Sequence, residues 1–178
     1  MSMTSCFGMA GHLAAMSEFL LRGYNVAIPY VDRGDDILTI EDSDSLIRRI
    51  QVKTSSVALR GTTLHLKYKL KTLQLRTPDR ETQLFYMFMW RDGDRWRWIL
   101  LSRGQLNELR EAESRGRPRE SSTELTLEIL LEDSLTSSPV LWGSSLAPYY
   151  NRWSADSPVL PRTLMDETRA EDPPTPRP

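Results

Sequence analysis

Asp36, Gln51 and Lys53 are of types and at spacings that can serve the hydrolysis of a phosphodiester. That reaction needs a divalent cation to neutralise developing charge and to lower the pKa of a water, plus a group that orients or deprotonates the water. Asp36 offers a hard anionic ligand. The side-chain oxygen of Gln51 and the backbone carbonyl of Val52 can complete an oxygen-rich shell for Mg²⁺ or Mn²⁺, and Lys53 is placed to hold the attacking water or a phosphate. Gln51 and Lys53 are two apart, so in a strand they share a face, while Ile50 and Val52 point to the other.

For these residues to meet, the chain must fold back between them. Residues 36–40 and 46–53 read as strands, and Glu41-Asp42-Ser43-Asp44-Ser45 between them is turn chemistry. A hairpin turn centred near Ser43 or Asp44 sets Asp36 opposite Gln51 or Val52, so the start of one strand meets the end of the other. Upstream, residues 11–22 have the periodicity of an amphipathic helix, with Leu13, Met16 and Leu20 on one side and Gly23 as its C-terminal stop; Glu18 lies within it. A short strand over residues 24–28 ends at Pro29.

A helix glutamate, an Asp opening a strand and a hairpin ending in Glu/Gln-x-Lys together resemble the PD-(D/E)XK endonuclease pattern, over about residues 8–56. Gly34-Asp35-Asp36-Ile37 followed by Ile50-Gln51-Val52-Lys53-Thr54 is similar to small bacterial endonuclease-like proteins with Gln in the Glu position. The resemblance implies an α/β (α+β) fold, a restriction-endonuclease-like central mixed sheet flanked by helices. It further implies metal-dependent cleavage of DNA, often by a homodimer, with Glu18 joining Asp36, Gln51 and Val52 at the metal. The chain departs from the fuller pattern: it has Gln51 in place of an acid and no Pro-Asp pair. With one charge fewer, metal binding is expected to be weaker unless Glu18 or Asp35 contributes.

Each of these residues also has a plainer reading. Asp36 could cap the turn after Gly34, leaving Asp35 as the ligand; Glu18 could sit on the exposed side of its helix; Lys53 could be a solvated strand-end lysine. Residues 62–75 alternate, with Leu64, Leu66, Tyr68 and Leu70 on one face and His65, Lys67, Lys69 and Lys71 on the other. With Arg60, those lysines are candidate phosphate contacts or a solvated face that discourages edge pairing. Trp90, Trp96 and Trp98 fit core packing better than base stacking.

The charge balance supports a cationic surface only locally. The 178 residues carry 23 Lys and Arg against 24 Asp and Glu, a net charge of −1, yet residues 46–76 hold eight basic side chains and no acid. Cys6 alone excludes an internal disulfide, and with His12 and His65 it cannot build a Cys/His zinc site, so any metal would rest on oxygen. The longest apolar runs, such as residues 84–90, are far short of the ~20 needed to span a bilayer. With no signal-peptide pattern either, a cytoplasmic protein without membrane contact is expected.

Farther along, residues 84–90 and 95–101 flank Asp92-Gly93, a hairpin signal. Ser102 with Gln105 forms a capping box opening a helix to about residue 113. Residues 115–122 read as a polar linker, residues 123–131 as an edge strand, and residues 144–153 as a short helix. Residues 1–155 are expected to form a single domain, and the Pro-rich residues 156–178 a disordered tail. Two functions compete: a Mg²⁺-dependent endonuclease, and a nuclease-fold module that binds nucleic acid or a protein partner without cleaving. Neither a Gly-x-Ser-x-Gly elbow nor a phosphate-cradling glycine loop is present.

Overall fold

The computed structural model describes residues 3–30, 34–41, 46–77, 83–112, 119–120, 123–132 and 138–151. It opens on helix α1, Met3–Leu20. The helix starts well before the expected residue 11, because its first turns are apolar around most of the circumference and carry no periodic signal there. It ends where Gly23 takes φ +80° and donates its N–H to the Leu20 carbonyl at 3.0 Å, a left-handed stop that a side chain would oppose.

Three strands follow as an antiparallel meander: β1 (Asn25–Ala27), β2 (Ile37–Ile40) and β3 (Ile47–Ser55). The chain then leaves the sheet through β4 (Val57–Arg60), β5 (Thr63–Lys71) and the short helix α2 (Thr72–Arg76). It returns as β6 (Leu84–Asp92), parallel to β3, and turns at Gly93 into β7 (Arg95–Ser102). The first sheet is therefore mixed, in the order β1-β2-β3-β6-β7. Helix α3 (Arg103–Ala112) opens with the expected capping box: Gln105 N donates to Ser102 Oγ at 3.1 Å and Ser102 N to Gln105 Oε1 at 2.9 Å.

A second sheet is built from β4, β5 and the strands after α3: β8 (Arg119–Glu120), β9 (Glu124–Glu132), β10 (Val140–Leu141) and β11 (Ser144–Ser145). Its order is β11-β10-β9-β5-β4, with β8 also on β9. β9 is thus an interior strand, not the edge strand its alternation suggested, since a single alternating face does not reveal how many neighbours a strand has. Residues 144–151 give β11 and one 3-10 turn, Ala147–Tyr149, instead of a helix. The Pro-rich tail lies outside the described residues.

The fold is α+β around a mixed sheet, with one departure from the expected layering. Helix α1 covers one face, but the other is covered chiefly by the second sheet. Strand β6 records both contacts. Phe85, Met87 and Met89 pack with Ala15 and Phe19 of α1, while Tyr86, Phe88 and Trp90 pack with Leu66, Tyr68, Leu127 and Ile129 of the second sheet. Burial on both sides explains why residues 84–90 are continuously apolar where β5 and β9 alternate. Each fully buried side chain of this size contributes about 1.5–3 kcal/mol. Gly11 lets α1 lie against β3, because a Cβ there would run into the Thr54 Cγ2 methyl. No helix among the described residues is long and apolar enough to cross a membrane.

Candidate functional site

The site lies where β2 stops short of β3. Ile37 pairs with Ile50, which sets Asp36 opposite Gln51, the first of the two registers expected. Beyond that pair β3 runs on to Ser55 with no strand on its β2 side among the described residues, so its outward N–H and C=O groups need other partners. Asp36 supplies one. Its backbone N–H donates to the Ile50 carbonyl at 2.9 Å, and its Oδ2 then accepts the Val52 N–H at 2.8 Å, replacing the next rung of the ladder with a carboxylate. The Val52 carbonyl opens on the same side as its N–H, as strand geometry requires.

Ile50 and Val52 belong to the core beneath α1, so Arg49, Gln51, Lys53 and Ser55 project from the opposite face. The far end of that row is fixed to the second sheet by Lys67 N donating to Ser55 Oγ at 3.0 Å. Gln51 is 7% exposed. Lys53 is half-buried. The carboxylate of Asp36 sits in the plane of the sheet, beside the residue that separates Gln51 from Lys53.

Asp35 and Asp36 differ in their hydrogen bonding. Both carboxylate oxygens of Asp35 are held in the fork of Arg49, at 2.8 Å from Nε and 2.8 Å from Nη2. Asp36 Oδ2 takes the Val52 N–H, and Oδ1 has no hydrogen-bond partner among the described residues. The side chain that approaches Asp36 from α1 is His12, with Nε2 3.7 Å from Oδ2; this is an electrostatic approach, too long for a hydrogen bond. Sequence reasoning used His12 only to argue against zinc. Its signal was that it is the one imidazole in an otherwise uncharged helical stretch.

Glu18 is placed elsewhere. It pairs with Arg22 at 2.8 Å, and that guanidinium lies 5.8 Å from the ring centre of Trp98 on β7, two strands beyond β3 in the sheet order. Glu18 lies six positions after His12, about 9 Å along the axis and about a third of a turn around it. The helix residue presented to Asp36 is therefore His12, and no group of three His, Cys, Asp or Glu forms a metal-sized cluster among the described residues.

The lysine stripe of β5 meets countercharge across the ladder. Lys67 pairs with Glu128 at 3.6 Å and Lys69 with Glu124 at 3.1 Å, while His65 Nδ1 is 2.9 Å from Glu128 Oε1. The His65 hydrogen bond, aided by the Lys67 charge, holds Glu128 below its ordinary value of 4.5 despite some burial. Arg60 is exposed on β4.

No protein-family model matches the chain, and no curated protein is similar to it in sequence. Among solved structures it is similar to a bacterial homing endonuclease, I-Ssp6803I, at 18% identity and a TM-score of 0.44, over 71% of this chain and 78% of that one.

Proposed function

We propose that the chain is a PD-(D/E)XK-type endonuclease that hydrolyses phosphodiester bonds in DNA with Mg²⁺ or Mn²⁺, working as a homodimer. The observation that carries this reading is the Asp36 carboxylate docked on the Val52 N–H at the step where β2 ends, in register with Gln51 and one residue from Lys53. The donor chemistry fits a hard cation: Asp36 Oδ1, the Val52 carbonyl and the Gln51 amide oxygen are all oxygen donors and would hold it. A cation held there would supply Lewis acidity and a more acidic water. The chain's own residues do the rest. The Val52 N–H fixes the orientation of the carboxylate, Gln51 offers a neutral oxygen, and the Lys53 ammonium orients the nucleophile or steadies a phosphate oxygen.

A second reading draws on a specific feature, the presence of a single carboxylate at this point. One acid with two neutral oxygens binds Mg²⁺ more weakly than two acids, and His12 offers Asp36 a positive partner of its own when protonated. On that reading the chain is a nuclease-fold module that binds nucleic acid or a protein partner without cutting.

The deciding experiment is nicking of supercoiled DNA by purified protein in Mg²⁺, Mn²⁺ or EDTA, beside Lys53→Ala. Cleavage that requires the metal and collapses in Lys53→Ala, with DNA binding retained, supports the enzyme. Binding without cleavage in either metal favours the module.

A further inference from the structure

Resting on the nucleic-acid reading above, we infer that the pocket between β3 and α2 is a second phosphate subsite, built to hold the nucleic-acid backbone beside the Asp36–Gln51–Lys53 position. This pocket of about 420 Å³ is lined by Arg49, Lys71, Leu73, Gln74, Thr77 and Arg103. Three of the six are cations, contributed by β3, by the residue preceding α2 and by the first turn of α3, so the tertiary fold gathers them from well-separated stretches of sequence. Arg49 and Arg103 are held in place: Arg49 by its two bonds to Asp35, and Arg103, only 4% exposed, by donating from Nη1 to the Gln74 carbonyl at 2.9 Å. Lys71 is exposed at the rim. Across the ladder it faces Glu124, whose carboxylate is engaged by Lys69 at 3.1 Å.

Arg49 precedes Lys53 by four residues on the same face of β3, about 13 Å along the strand, on the order of four base steps of ~3.4 Å. A phosphate in the pocket would belong to the same backbone as the one presented to Lys53, a few nucleotides along. The Lys71 ammonium at the rim is the group that meets such oxygens, with the Arg49 fork committed to Asp35 and the buried Arg103 adding its charge behind it. Lys71 thereby separates from Lys67 and Lys69, whose charge is already matched by β9.

The test measures binding in EDTA, so that it is independent of catalysis. A fluorescent DNA duplex and a single strand are titrated with wild type, with Lys71→Glu, and with Lys67→Glu and Lys69→Glu together as the control, across a salt series, with thermal melting of each variant. Lys71→Glu is expected to weaken DNA binding about tenfold and to lower the salt slope by about one, while the control changes affinity less than twofold. Inorganic phosphate and a mononucleotide are titrated separately. If they bind wild type and not Lys71→Glu while DNA binding is equal in both, the pocket is a small-anion site and the inference falls. Equal DNA affinity and slope in wild type, Lys71→Glu and the milder Lys71→Gln overturn it as well. Loss of binding in Lys71→Glu by a wild type that never cleaves leaves the subsite standing and removes only the enzyme reading; cleavage that Lys71→Glu leaves untouched, with unchanged binding, removes only the subsite.

Discussion

The end of the β2–β3 hairpin and the β5–β9 ladder are both rich in polar side chains, and they treat them differently. On the ladder, Lys67 and Lys69 are matched to Glu128 and Glu124, and His65 shares Glu128, so the charges close among themselves at a solvent-exposed face. At the hairpin end a carboxylate occupies a backbone rung, beside a glutamine that is 7% exposed. There Asp36 Oδ1 remains over once Oδ2 has taken the rung, an acceptor turned to something other than the ladder. The more densely charged of the two regions is the less informative one.

The largest expected break comes from Asp36. Asp36→Ala removes both the anionic oxygen and the acceptor for Val52 N–H. Nicking should fall to background and calorimetry should detect no Mn²⁺ binding. Denaturant unfolding should show a loss of about 1–3 kcal/mol from the orphaned N–H. Asp36→Asn keeps an acceptor and loses the charge, so it should lose metal binding and cleavage but stay within about 1 kcal/mol of wild type in stability. A stable, fully active Asp36→Ala protein would show that the carboxylate is only a cap.

A smaller effect sharpens the contrast. Gln51→Glu places a second acid at the same level of the sheet and should tighten Mg²⁺ about tenfold, read by calorimetry, while cleavage moves with geometry. Unchanged Mg²⁺ affinity would place the Gln51 side chain outside the donor set and favour the non-cleaving module.

The smallest effect belongs to the ladder. Because Glu128 is held below its ordinary value, chiefly by its hydrogen bond to His65, its contribution to stability is present above the unfolded carboxyl's pKa and is lost as pH falls through the lower, folded one. Glu128→Gln should therefore lower the melting temperature slightly at pH 7, within the about 0–1 kcal/mol typical of screened surface pairs, and the difference should vanish once the pH is below the lowered, folded pKa of Glu128. A variant that matches wild type at pH 7 would show that the ladder's charges contribute nothing to the fold and are available for another purpose.

The sequence alone determined what depends on neighbours in the chain. A short turn narrows the hairpin to two registers, the shared face of Gln51 and Lys53 follows from strand periodicity, the α1 stop from a glycine with φ +80°, and the α3 start from Ser102 and Gln105. It also placed the lysines of β5 on one face of their strand. The tertiary structure decided everything that depends on which surfaces meet. It set a second sheet, where helices were expected, against the mixed sheet, and it made β9 an interior strand whose glutamates neutralise that lysine face. It turned Glu18 towards Arg22 and brought His12 to Asp36 instead, because a helix phase is fixed by the surface it packs on and not by its own spacing. Arg49, Lys71 and Arg103 line one pocket for the same reason: they are far apart along the chain, and only the packing of α2 and α3 against the sheets joins them.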